Sequence, residues 1–361
     1  MTTIKNIINA VVETVDNAWM GVKNAVRSAS FALETKKLEK EVKKEQKKAA
    51  REAKVATWPK WAQFLYNFGL GLFGSSTVGV GLFIGGMTAA MAILMVVGVF
   101  FDIDFIVNAV FGMADFYAAI GNGTFTVETF GMEFITQISN FVLVSMCIGY
   151  IPTFIYMFAK RDLDGGYGQK INACELFKWT AIFYAANLVL EVLINGLAPL
   201  PIFAAATADL SSVNLLATEG NLWMCLLTTG ILAPIAEEIS LRFMVQKGMS
   251  RAGHGFAIFW SALLFGILHM NLFQSTYAFL MGLLICFIYY KTNYNLWYTT
   301  IIHVVNNSFA VLISQTGVNA YVAYTILPLV FFGVYYILNQ KNKSVAEATA
   351  YLKANYSAQL N

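Results

Sequence analysis

From about position 76 onward the chain is written in apolar blocks of roughly twenty residues separated by short polar stretches. A helix rising ~1.5 Å per residue needs about twenty apolar residues to cross the ~30 Å hydrocarbon core of a bilayer. Blocks of that size fall near 76–101, 135–159, 174–200, 221–246, 254–271, 274–291, 295–314 and 321–339. The pattern predicts an all-α, polytopic membrane protein with about eight transmembrane helices.

Ahead of these blocks the pattern changes. Ile4, Ile8, Val11, Val15, Trp19, Val22 and Val26 recur in steps of three and four, one stripe along a helix. From Thr35 to Lys54 nine basic and four acidic residues continue it as a solvated helix. This N-terminal amphipathic and basic helical arm, residues 1–60, is expected to lie on the cytoplasmic membrane surface, its Lys and Arg near anionic lipid headgroups. A plain charged helix or a coiled-coil arm fits the same pattern. Trp58, Trp61, Phe64 and Tyr66 read as an interfacial belt leading into a transmembrane domain, 61–340. Residues 64–75 fit either an interfacial helix or the start of the first span. A cytoplasmic tail, 341–361, is expected to follow.

Composition supports this division. Hydrophobic residues make up 58% of the 361 and charged residues 12%, half the ~25% of a soluble domain. Thirteen of the 24 Lys and Arg lie in the first 60 positions, so basicity belongs to one segment and no nucleic-acid partner is expected. The acidic stretch 102–134 (Asp102, Asp104, Asp115, Glu128, Glu133) and the stretch 200–222 (Asp209, Glu219) contain no Lys or Arg. Lys160, Arg161 and Lys170, Lys247 and Arg251, Lys291, then Lys341 and Lys343 fall in the alternate set. Basic loops stay cytoplasmic, which places both termini inside. The short loops and Lys-rich arm have a bacterial look, so the expected location is a bacterial cell membrane. No short basic stretch with an apolar core opens the first 30 residues; a cleaved secretory signal is not expected, and the first span directs insertion. Cys147, Cys174, Cys225 and Cys286 are scattered through apolar surroundings and read as small hydrophobes.

Against that background six polar residues stand out. An ionisable group at membrane depth costs at least a few kcal/mol and demands a partner or a purpose. Glu237, Glu238 and Arg242 lie in the fourth span, His269 in the fifth, His303 and Asn307 in the seventh. Glu238 and Arg242, at i and i+4 with the acid first, are spaced as an ion pair. Glu237 is about 100° round the helix and has no partner on its own helix. His303 and Asn307 share a face. At ~1.5 Å per residue Glu237 is about 15 Å from Lys247, His269 about 22 Å from His254 and His303 about 13 Å from Tyr294. Three helices of alternating direction therefore deliver polar groups to one layer, which predicts a central polar cavity. In it Glu237 can deprotonate a water with His269 orienting it or sharing the proton. His303 and Asn307 can hold the oxyanion of a peptide carbonyl under attack.

At these residues the sequence resembles the CPBP (Abi) family of intramembrane glutamic endopeptidases, which includes the Rce1-type CAAX proteases. The family pattern is Glu-Glu-x-x-x-Arg, Phe-x-x-x-His and His-x-x-x-Asn on successive core helices. Here these are Glu237-Glu238-Ile-Ser-Leu-Arg242, Phe265-Gly-Ile-Leu-His269 and His303-Val-Val-Asn-Asn307, within about 175–315. The resemblance implies Glu237 as catalytic base with His269 beside it, Glu238 and Arg242 as structural support, and His303 with Asn307 at the oxyanion. It also implies a peptide precursor or protein tail as substrate, cut near the membrane. The arm and first two spans lie outside it.

Other readings share these residues. Glu237, His269 and His303 form a His₂Glu set of the kind that binds zinc, although no HExxH is present; the expected mechanism uses no cofactor. A non-proteolytic scaffold or bacteriocin-immunity protein could keep the motifs for its fold. A proton-coupled transporter would also use buried Glu and His, but inverted repeats are not seen. Glu191 in the third span reads as a structural acid, His254 as a loop residue, Asn271 as a helix-end amide or cavity-mouth residue, and Asn122-Gly-Thr as a turn.

Overall fold

The computed structural model describes residues 2–121, 131–160, 170–197, 221–269, 272–317 and 319–359. Asn122, Glu128, Arg161, Asp209, Glu219 and Asn271, named above, lie outside them. Contacts divide the chain into two units, Met1–Gln63 and Phe64–Asn361. The first is dominated by one helix, α1 (Thr2–Ala56), whose residues 30–54 are all exposed. The helical arm expected from the sequence is thus present.

The second unit holds the apolar helices. Seven among the described residues are long and apolar enough to cross a membrane. They are α2 (Lys60–Phe100), α4 (Glu133–Ala159), α5 (Ala173–Leu197), α6 (Leu222–Ala252), α8 (Leu272–Lys291), α9 (Leu296–Thr316) and the final helix α10 (Ala320–Gln359). A shorter apolar helix, α7 (His254–Leu268), fills the remaining predicted position. All eight predicted blocks are therefore helical, and the chain is an all-α integral membrane protein. Helices are required because hydrocarbon offers backbone groups no partner outside their own segment.

Three boundaries differ from the hydrophobic pattern. The helix of the first span starts at Lys60 and is continuous, with π-helical turns at Gly71–Ser76, so 64–75 belongs to the same helix as the span. The stretch expected as an acidic loop contains a helix, α3 (Asp104–Gly121). Ile106 and Ala109 of α3 are buried against Ile138 and Phe141 of α4, with Met91 and Leu94 of α2 at the edge. Its acids mask an apolar face, so counting charges hid the helix. The last helix runs unbroken through the expected tail to Gln359.

Burial ranks the helices. In its most apolar stretch α6 is 56% buried, against 11% for α2 and α10; α6 is the central element and the other two are peripheral. Small residues set the approach to it. A Cβ on Gly79 of α2 would stand 2.7 Å from the Ser240 carbonyl oxygen of α6, so the backbones touch where only glycine fits. The α7–α8 hairpin closes the same way. A Cβ on Gly266 would come 2.9 Å from the Ser275 carbonyl, and one on Gly282 would meet Phe265 and Ala262.

Helix ends follow local chemistry. The Asn295 side chain caps α9 by accepting from the Trp297 N–H, and its own amide donates to the Lys170 carbonyl. His254, read as a loop residue, instead opens α7, with Nδ1 2.7 Å from the Tyr294 hydroxyl. The four cysteines are all free.

Candidate active site

The site is built on α6, and a proline shapes that helix. Leu226–Leu232 is wound in wider π turns, and Ala233 donates to the Thr228 carbonyl five residues back. Pro234 comes next and has no N–H, so the Thr229 carbonyl loses the donor this register would bring. Side chains of α9 take its place. Asn307 Nδ2 donates to the Thr229 carbonyl at 3.3 Å, and Ser308 Oγ to the Gly230 carbonyl at 3.2 Å. The proline thereby ties α9 to α6 one and a half to two turns before the two glutamates. π turns of this kind recur at functional sites.

Below that tie α6 carries the acids. Glu238 and Arg242 are completely buried, with Nε 3.4 Å from Oε2. The ion pair expected from i, i+4 spacing is therefore present, although Glu238–Gln246 is again π-helical. The Arg242 guanidinium also lies over the Phe265 ring, 4.6 Å from its centroid, which places the cation on the negative ring face. Glu238 has a second partner that helical spacing could not reveal. His303 Nδ1 of α9 is 2.9 Å from Glu238 Oε1. Glu238 thus sits between a guanidinium and an imidazole.

The same imidazole reaches the other acid. His303 Nε2 is 3.6 Å from Glu237 Oε2. Glu237 has no partner on its own helix, as expected, but it is faced across the helix interface by His303. The Glu237 side chain keeps 17% exposure where Glu238 has none, so of the two carboxylates only Glu237 can meet a water or substrate.

His269 enters from α7. The helix ends at Leu268 after 15 residues, about 22 Å of rise, so its last turn falls within membrane depth and His269 caps it. His269 Nδ1 is 2.8 Å from the Phe265 carbonyl. A carbonyl only accepts, so Nδ1 carries the hydrogen and Nε2 of the neutral ring keeps its lone pair. Phe265 stands edge-on to both imidazoles, with centroids 4.9 Å from His269 and 5.6 Å from His303. It therefore touches both imidazoles and Arg242. Glu237, Glu238, Arg242, His303 and Phe265 are in one direct network; His269 joins it through Phe265, and Asn307 through α6 and its own helix. Among the described residues no three His, Cys, Asp or Glu side chains are grouped to hold a metal ion.

Sequence reasoning missed Pro234, Thr229 and Ser308. A proline three residues before paired acids was the available signal, since it must orphan a carbonyl that something else satisfies.

The family model described as type II CAAX prenyl endopeptidase Rce1-like matches residues 219–309. That segment is Rce1-like. The Rce1-like segment contains all six residues of the polar cluster, Pro234 and Phe265, and spans α6 to most of α9. It lies within the 175–315 stretch where the resemblance was read. The family is one of CAAX proteases, which are peptide hydrolases, and such enzymes act on protein or peptide substrates at a membrane. No curated protein and no solved structure matches the chain.

The network predicts opposite behaviour from its two acids' surroundings. Arg242→Met strips buried Glu238 of its guanidinium, a change of the kind that costs ~3–5 kcal/mol. It should lower the melting temperature in detergent and the yield of monodisperse protein on size exclusion. Glu237→Gln should purify and melt like wild type. Equal damage from both would show that the acids are not divided into support and working group.

Proposed function

We propose that this chain is an intramembrane endopeptidase that hydrolyses a peptide bond near the membrane in a peptide precursor or protein tail. The observation that carries the reading is the accessible Glu237 carboxylate facing His303 inside the Rce1-like segment. Glu237 takes a proton from a water, and the resulting hydroxide attacks the scissile carbonyl carbon. His269, whose Nε2 lone pair is set by the Nδ1–H bond to Phe265, orients that water and shares its proton. The carbonyl oxygen becomes an oxyanion. His303, held by Glu238 through Nδ1, offers Nε2–H to it when charged. Asn307 offers the amide hydrogen that its bond to Thr229 leaves over. Collapse of the tetrahedral intermediate breaks the C–N bond as the proton passes from Glu237 or His269 to the departing nitrogen. Carboxylate and amine leave, and the groups return to their first state. Glu238 and Arg242 touch no substrate; they fix His303. No step needs a metal ion.

General-base removal typically costs ~10²–10⁴ in rate. Glu237→Gln should therefore reduce cleavage by at least about a hundredfold while wild-type protein keeps activity after exhaustive chelation. Comparative peptidomics of a host carrying wild type or Glu237→Gln checks the first claim and reveals the cut site. An unchanged peptide profile with biological activity intact would make the protein a non-proteolytic scaffold or immunity protein, and activity lost on chelation and restored by zinc would make it a metallopeptidase.

The same reading places both termini on the cytoplasmic side of a cell membrane and α1 on its anionic surface. At about 100° per residue, Lys36, Lys37, Lys40, Lys43, Lys44, Lys47, Lys48, Arg51 and Lys54 fall on one face. Phe31, Leu38 and Val42, exposed by 73%, 59% and 54%, fall on the other. In nanodiscs a spin label at Val42 should be buried from water with anionic lipid and released by high salt. Equal accessibility in neutral and anionic discs would remove lipid as the arm's partner.

A further inference from the structure

Two side-chain amides and a phenol that this chemistry leaves unused form a chain ending on Asn307. Tyr277 Oη on α8 donates to Asn187 Oδ1 on α5. Asn187 Nδ2 donates to Asn306 Oδ1 on α9 at 3.1 Å, and Asn306 Nδ2 to Asn307 Oδ1 at 3.4 Å. Asn307 Nδ2 then donates to the Thr229 carbonyl on α6. Four helices are linked. Asn187 is completely buried near the middle of an apolar span, where an amide without partners costs several kcal/mol.

An amide side chain has two ends of nearly equal shape, and its bonds alone decide which is oxygen. A row of amides can run in either direction unless one end is pinned. Here the Thr229 carbonyl pins it, because a carbonyl accepts and never donates. The atom of Asn307 facing it must be nitrogen. Its oxygen then faces Asn306, which must present nitrogen in turn, and the requirement passes through Asn187 to Tyr277, the terminal donor. Pro234, by leaving the Thr229 carbonyl unclaimed within α6, sets the polarity of the whole row.

We infer that Asn187 is a positioning residue for catalysis, with Tyr277 behind it. Resting on the peptidase reading above, the row holds the Asn307 oxygen on Asn306 and its nitrogen on Thr229, which leaves one amide hydrogen for an oxyanion that needs donors. Thr229 alone selects the nitrogen but leaves the amide free to swing on a single bond. Asn306 stops the swing only while Asn187 fixes Asn306. A turned amide would bring oxygen to the developing negative charge.

The test measures turnover of internally quenched peptides, with and without a farnesylated cysteine, by detergent-purified full-length protein. Asn187→Ala should lower kcat about tenfold with KM little changed, since misplacing an oxyanion donor weakens only transition-state contacts. Asn187→Leu keeps the approximate shape but supplies neither donor nor acceptor, so it should lower kcat at least as far. Tyr277→Phe should lower it by a smaller factor. Wild-type kcat in a folded Asn187→Leu variant, or a raised KM at unchanged kcat, would overturn the inference and leave Asn187 a packing residue. Should the Asn187 variants not fold, melting temperatures of Tyr277→Phe, Asn307→Ala and the double variant decide. These residues share no bond, so non-additive losses support the row and additive losses refute it. The two failures are distinct. If wild type cleaves none of the peptides, the peptidase reading falls and takes this inference with it. If wild type cleaves and the Asn187 variants turn over normally, only the row's catalytic role falls.

Discussion

A fully buried carboxylate held between a guanidinium and an imidazole is the constraint on which this protein's centre depends. Glu238 has no contact with solvent, and neither has Arg242. Charges so placed are tolerated only when paired, and removal of one partner exposes the cost of the other. Glu238 meets that demand by joining two helices. Arg242 is on its own helix, while His303 is on α9. Folding α9 against α6 is therefore coupled to neutralising the acid. The same contact orients the imidazole, because a ring donating from Nδ1 to Glu238 has Nε2 turned toward Glu237. Stability and chemistry share one hydrogen bond.

The second constraint is steric. Gly79 lets α2 lie on the α6 backbone at Ser240, and Gly266 and Gly282 let α7 and α8 close on each other. Phe265 of α7 lies against Arg242 and in contact with both imidazoles. Pro234 adds a third link by leaving the Thr229 carbonyl for Asn307 of α9 to bind. Each device is a single residue; Gly79 and Pro234 act on α6, and Gly266 and Gly282 on the α7–α8 hairpin.

Much of this was legible in the chain. Blocks of apolar residues located all eight helices, and the i, i+4 spacing of Glu238 and Arg242 identified their pairing. Counting rise per residue correctly brought the α6 acids and His303 to one level. What escaped were relations between helices, which depend on rotation about each axis and not on spacing along one. The bond from His303 to Glu238 is of this kind, and so is the row from Tyr277 to Thr229. Asn187 passed unnoticed beside Glu191, one turn further along, because an amide stands out less than an acid in an apolar helix. The helix Asp104–Gly121 was hidden for a different reason: its acids lie off the face formed by Ile106 and Ala109.

The chain has only three histidines, His254, His269 and His303, so their ring nitrogens can be observed directly. Glu238 fixes His303 through Nδ1 and thereby presents Nε2 to Glu237. Solid-state NMR of ¹⁵N-histidine-labelled protein in lipid, assigned with a His303→Gln variant, measures it. The expected result is a His303 Nδ1 that carries a hydrogen and whose shift moves in Glu238→Gln. A His303 protonated only at Nε2, or a signal indifferent to Glu238, would contradict it.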